Sequence, residues 1–369
     1  MSKVVLLTGA TGHLGNSLIP EILQNEDAQI LALVRAKNPE HYSNRVERLY
    51  KKHGTCDGRL SFIKGDVGSE ALGLTSDDLA KVHSTVTHLI LSAASVRFDM
   101  CEDLAAQQNI KATATMLKLA GQLKDQGQLQ RYDHVSTCYV AGRRQGLVYE
   151  HENDEGQSFR NSYEWSKCQA EIRVRKAMSE GLPAAIHRPA IIVGEQQSGE
   201  TQSFNVIYWP LKVYANGWWR TFPGNKDAKV DIVPVDFVSK AIATIHRQPE
   251  TLGKCFHLAV GKEAPSVSQL EAIAREIIGG PPVRYVPQKL YKRFVRPFLF
   301  PLRLTKRGKM IRRGGDAFMP YFEYNPTFDT SNAERALGSL KPPRVQDYIR
   351  EIFKFAVQAN FGQNQASKK

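Results

Sequence analysis

The sequence predicts an α/β protein: a doubly wound parallel sheet with a smaller, mainly helical C-terminal part. Three observations carry this. Short apolar runs alternate with amphipathic stretches through the first 260 residues, as strands joined by crossover helices do. The first turn carries Gly9, Gly12 and Gly15 between a strand-like and a helix-like segment, and the composition turns basic and aromatic from Pro281 on. A chain of 369 residues, 42% hydrophobic and 24% charged, has enough material for a large core.

Val4 to Leu7 form the first strand, and Asn16 to Gln24 suit the helix behind the turn. Gly9 permits a turn that a side chain would obstruct. Gly12 lets backbone approach a pyrophosphate, and Gly15 lets the helix pack close to the strand. An anion there meets unpaired N–H groups at the positive end of the helix. Gln29 to Val34 are a second buried strand, followed by Arg35 and Lys37. An acid at this point would bind a ribose 2′-OH; two cations suit a 2′-phosphate and predict NADPH. A polar helix runs from His41 to Lys52, and a third strand at Leu60 to Ile63 leads to Asp66, which suits either an adenine contact or a turn. His88 to Leu91 are a further strand, and Ala93 and Ala94 after it leave room for a ligand. A long helix spans Ala105 to Gln122 and contains Asn109.

Asp133 to Thr137 read as a strand ending in hydroxyls, and Tyr163 and Lys167 follow four residues apart on a helix. That spacing puts both on one face. A phenol titrates near pH 10, so it exchanges protons poorly at neutral pH unless a nearby cation stabilises the phenolate. Tyr163 is therefore the expected general acid for a carbonyl receiving hydride. Lys167 would hold the nicotinamide ribose and lower the tyrosine pKa, and Thr137 would position the substrate oxygen.

These pieces resemble the extended short-chain dehydrogenase/reductases, and among them the fatty acyl-CoA reductases and the thioester reductase domains of carrier-protein enzymes. The resemblance rests on Thr8-Gly9-Ala10-Thr11-Gly12-His13-Leu14-Gly15, Leu33-Val34-Arg35, Gly65-Asp66-Val67 with Leu72-Gly73-Leu74, Ala93 to Asp99, Asn109, His134 to Val140, Tyr163 to Lys167 and Arg188-Pro189. It covers roughly residues 1 to 260. It implies a Rossmann sheet, NADPH, an acyl thioester substrate, and cofactor contacts along the first motif and at Asp66, Val67, Ala93 and Ala94. It also implies that Asn109 helps place the lysine and that Pro189 and Ile191 lie near the nicotinamide. Leu91 stands where many acyl reductases carry a histidine. With no adenylation or carrier segment in the sequence, the thioester is expected preformed, on coenzyme A or a separate carrier.

Ala184 to Gly194 suit a further strand and its exit loop, and seven aromatic residues between Phe204 and Phe222 suit a core cluster or an acyl tunnel. Lys229 to Val238 return the chain to the sheet, with Asp236 expected to cap a helix reaching His246. Cys255 to Val260 suit a last strand, and Ser266 a helix cap. The expected cofactor-binding part is 1–195 with 226–260, and the substrate part 196–225 with 261–369.

The formal charge of +13 concentrates between Arg284 and Arg313, where eleven Lys and Arg occur without one Asp or Glu. This stretch suits a solvated face, an anionic membrane surface, or the phosphates of coenzyme A or an acidic carrier. No nucleic-acid recognition module accompanies it. Five scattered cysteines without a Cys-x-x-Cys pair predict reduced thiols and no metal. Absence of a signal segment before the first strand predicts a cytoplasmic chain, peripheral to the membrane if the basic stretch binds lipid. Two rival readings stay open: an extended reductase or epimerase of a ketone, secondary alcohol or nucleotide sugar, and a non-catalytic NADP-binding sensor.

Overall fold

The computed structural model describes residues 3–24, 27–98, 100–217, 221–287, 290–295, 314–315, 317–322 and 326–362. Asp99, Trp218, Trp219, most of the basic stretch and the tail 363–369 lie outside the described residues. Within the stretch, Leu290 and Phe294 are exposed.

The chain alternates strand and helix: β1 (Lys3–Thr8), α1 (His13–Leu23), β2 (Ala28–Val34), α2 (Pro39–His53), β3 (Leu60–Lys64), α3 (Ser76–Thr85) and β4 (His88–Leu91). A short α4 (Glu102–Ala105) passes through a π-helical turn at Ala106–Ile110 into α5 (Lys111–Asp125). Then come β5 (Arg131–Val135), β6 (Gly146–Val148), α6 (Ser162–Ser179), β7 (Ala184–Pro189), β8 (Ile191–Val193), α7 (Tyr208–Ala215), β9 (Thr221–Pro223), β10 (Ile232–Pro234), α8 (Val235–His246) and β11 (Cys255–Leu258). The C-terminal part adds α9 (Val267–Ile278), β12 (Arg284–Val286), β13 (Pro326–Phe328), α10 (Ser331–Leu337) and α11 (Ile349–Gln358).

Seven strands form one sheet in the order β3-β2-β1-β4-β5-β7-β11, every pair parallel. The order reverses between β1 and β4, which opens a crevice at the carboxyl ends of the strands. Strand alternation divides the core between the two faces. Val5, Leu7, Ile30 and Ala32 pack with α1 and α8 residues such as Leu18, Ile22, Val238 and Ile242. Leu6, Leu31 and Leu33 face Met116 and Leu119 of α5 and Val174 of α6. A third cluster joins α7, α9 and α11, through Leu211, Leu270 and Ile352, to Tyr139 and Val193 at the crevice. Tyr208 is buried in it, with Phe204 and Trp209 packed against it, so these rings of the aromatic segment belong to the core. Among the described residues no helix is long and apolar enough to cross a membrane.

Two local expectations change. The segment from Ala184 breaks at Ala190: its N–H bonds Leu258 O while the N–H of Ile191 bonds Asp231 O, so the chain leaves the main sheet for a two-stranded β8–β10 pair. Asp236 does not cap α8, whose N-cap is Pro234. Its carboxylate instead accepts the Gln196 N–H at 3.1 Å, pinning the loop beyond β8. Ser266 does cap α9, in a reciprocal capping box with Gln269.

Candidate active site

The Gly-rich turn is built for an anion. Gly9 has φ +76°, and a Cβ there would lie 2.8 Å from Ala93 N. A Cβ on Gly15 would run into the carbonyl of Gly9, which is how closely α1 approaches β1. A Cβ on Gly12 would meet only Gly9 O, at 3.2 Å. Helix α1 begins without a side-chain cap or an acid in its first turn, so its leading N–H groups are unclaimed by side chains. From this turn a cavity of about 1020 Å³ runs past Thr11, Gly12, His13, Leu14 and Gly15 to Thr137, Tyr163 and Lys167. The cradle and the cavity volume fit a dinucleotide whose pyrophosphate meets the start of α1.

At the end reached by β2 and α2, Lys37 lines the cavity but Arg35 does not. The Arg35 side chain is 70% exposed, its Nη1 4.0 Å from an Asp66 carboxylate oxygen. Asp66 also accepts the Gly68 N–H at 2.9 Å and holds its own turn; neither Asp66 nor Val67 reaches the cavity wall. Sequence reasoning missed His41, Arg45, Arg48 and Lys52, which line this end. The signal was present: intervals of four, three and four residues place them on one face of α2. Arg45 donates from Nε to His41 at 3.0 Å and from Nη1 to the Arg35 carbonyl at 2.9 Å and Thr11 Oγ1 at 3.4 Å. It thus ties the end of β2 to the Gly-rich turn.

At the opposite end, α6 starts with an Asn161 cap, which sets Tyr163 in its first turn and Lys167 one turn later. Tyr163 and Thr137 share a hydrogen bond, and burial, the dominant effect, raises the phenol pKa. Thr137 also donates to Pro189 O at 3.4 Å. Lys167 donates to Val135 O at 2.6 Å; burial pushes its pKa down to about 8, against the opposing charge of Glu171. The Ser136 hydroxyl, buried on the cavity wall, has no hydrogen-bond partner. Asn109 lies in the π-helical turn, below the wall. Its Oδ1 accepts the Ser95 N–H at 2.9 Å and its Nδ2 donates to Ser166 Oγ at 2.9 Å, so it fixes the helix carrying Lys167 through the neighbouring residue.

Pro189, Ile191 and Ala94 line the cavity, whereas Ala93 and Thr8 stand behind it. Thr8 Oγ1 accepts the Ala93 N–H at 3.2 Å and donates to Ile90 O at 3.3 Å, joining β1 to the end of β4. Beyond Tyr163 the wall is aromatic. Phe98 lies 5.3 Å from the Tyr163 ring and stacks at 5.5 Å on Tyr321, which meets Tyr139 at 5.0 Å. Tyr321 comes from the C-terminal part and is held by Asn161 at 3.0 Å. Gln202, Ser203 and Asn205 add a polar rim. Among the described residues no three His, Cys, Asp or Glu are placed to hold a metal.

A family model described as "Male sterility protein" matches residues 7–242. A component of the linear gramicidin synthase of Brevibacillus parabrevis is 28% identical over 69% of this chain and 5% of its own length. Fatty acyl-CoA reductase wat of Drosophila melanogaster is 28% identical over 65% of this chain and 53% of its own. The chain therefore spans about half or less of these curated relatives. In structure it is similar to the terminal R domain of the myxalamid PKS-NRPS biosynthetic pathway, with a TM-score of 0.84 and 25% identity over 97% of this chain and 91% of that one.

Proposed function

Since the chain belongs to the male sterility protein family, we propose that it is an NADPH-dependent reductase of an acyl thioester. The thioester, on coenzyme A or a carrier protein, yields the free thiol and an aldehyde, or the alcohol after a second hydride. One observation carries this reading: Thr137, Tyr163 and Lys167 stand on the same cavity as the Gly-rich turn, at its aromatic end.

When bound, NADPH supplies the hydride. The chain's own residues do the rest. Thr137 and Tyr163, hydrogen-bonded to each other on the cavity wall, are the pair of hydroxyls that would meet a carbonyl oxygen receiving negative charge. Burial keeps the phenol protonated, the form a proton donor needs. Lys167, anchored on Val135 O, would supply positive charge as the phenol gives up its proton to the substrate oxygen. Lys37 and Arg45 suit a 2′-phosphate, which supports NADPH over NADH. The described lining beyond Tyr163, with Phe98, Tyr139 and Tyr321, offers a sugar diphosphate no cation, and this favours an apolar acyl group over a nucleotide sugar.

Incubation with acyl-CoA and acyl-carrier-protein donors, with NADPH and NADH compared, tests the proposal. Aldehyde or alcohol should form, faster with NADPH. Neither product from either donor, with turnover of a ketone, secondary alcohol or nucleotide sugar instead, would overturn it.

A further inference from the structure

We infer that His13 is a proton-linked anchor for the cofactor pyrophosphate, so that binding the dinucleotide draws a proton onto its ring. The inference rests on the dinucleotide reading of the cavity and holds for NADPH or NADH.

His13 is the first residue of α1, directly after Gly12, and lines the cavity beside Gly9, Thr11 and Gly12. Its Nε2 lies 3.0 Å from the carbonyl oxygen of Val193, at the end of β8. A carbonyl only accepts, so Nε2 carries the hydrogen, and the neutral ring is left with a bare lone pair on Nδ1. Beside an anion that edge is worth nothing as a donor. Protonation turns it into a second N–H and adds positive charge at the helix end that already favours anions.

The surroundings keep the free ring neutral. Burial lowers its pKa most, Lys52 of α2 acts the same way, and the Val193 carbonyl with Glu195 and Glu200 beyond β8 oppose them. Further along the wall stand Lys37, His41, Arg45 and Arg48, all cationic or protonatable; α1 has no charge in its first turn. A bound pyrophosphate reverses the balance by placing negative charge next to the ring. Its pKa rises on binding, so affinity increases as pH falls between the bound and free pKa values, by at most about tenfold per pH unit for one proton.

The test is calorimetric titration of the full chain with NADPH from pH 6 to 8.5, in two buffers of different ionisation enthalpy, for wild type, His13→Gln, His13→Phe and, as a control away from the cavity, His151→Gln, whose ring is exposed and stacks on Tyr149. The 2′-phosphate titrates in all four, so differences between them belong to the side chains. Wild type and His151→Gln should take up more protons than either His13 variant, and only the His13 variants should lose the steeper pH dependence of Kd. The His13 ring, followed by NMR, should titrate at least about one unit higher with cofactor than without. Equal proton uptake in all four proteins, or a ring pKa that cofactor leaves unmoved, would overturn the inference while leaving the reductase reading intact. Failure of wild type to bind NADPH or NADH at any pH would overturn both.

Discussion

Tyr163 is the residue on which the proposed chemistry turns. Its spacing from Lys167 shows in the sequence, but its surroundings do not: burial raises the phenol, and the lysine is tied to Val135 O. Tyr163→Phe should lower kcat by about 10²–10⁴-fold, the usual worth of a positioned acid. Cofactor affinity, followed by NADPH fluorescence, should hardly change. The cofactor end reads differently in space than in sequence. Arg35 follows β2 where a 2′-phosphate reader is expected, yet it leans outward to Asp66, and Arg45 occupies the inner position. Arg45→Ala should raise KM for NADPH on the order of tenfold or more, the worth of one charge-assisted hydrogen bond, and leave KM for NADH nearly unchanged. Arg35→Ala should have the smaller effect. Steady-state kinetics with both cofactors decides between the two arginines.

At the scale of elements, apolar periodicity located the strands and helices because each buries one face or stripe. It did not reveal where an element changes partner. The helix expected from Ala105 to Gln122 is interrupted at Ala106–Ile110 by a π-helical turn, and such turns often mark functional sites. This one presents Asn109 to the Ser95 backbone and to Ser166 Oγ. Asn109→Ala strips those groups of their buried partner. It should cost about 1–3 kcal/mol of stability, seen as a lower Tm, and should reduce kcat by loosening the seat of Lys167. The break at Ala190 has a similar origin, since the N–H groups of Ala190 and Ile191 bond to carbonyls at two different sheets. Neither event leaves a mark in hydrophobic pattern, because both are set by partners far away in the chain.

Across the whole molecule, a buried carboxyl group helps hold the C-terminal part to the sheet. Glu150 accepts N–H bonds from His257 of β11 at 2.8 Å and from Asn332 and Ala333 of α10 at 2.6 and 3.2 Å. Burial nevertheless pushes its pKa from 4.5 up to about 7, the three bonds opposing. A carboxyl raised on folding holds its proton better in the native state, so its contribution is complete below about 4.5 and is lost as pH rises through about 7. Glu150→Gln removes that titration and sets an amide NH₂ against a backbone donor. Denaturant unfolding from pH 4 to 8 should find the variant less stable at pH 4–5. The gap to wild type should shrink as pH rises, by at most about 1.4 kcal/mol per pH unit.

The sequence by itself determined the parallel sheet, the Gly-rich anion turn and the Tyr163–Lys167 pair, because strand alternation, glycine geometry and helical spacing are local properties. Only the tertiary structure decided that Arg45 rather than Arg35 faces the cavity, that Asn109 reaches Ser95 and Ser166, and that Tyr321 closes the aromatic wall. Those choices depend on contacts between residues distant in the chain, which packing selects; helical spacing aligns Arg45 with its neighbours on α2 but does not say which way that face turns.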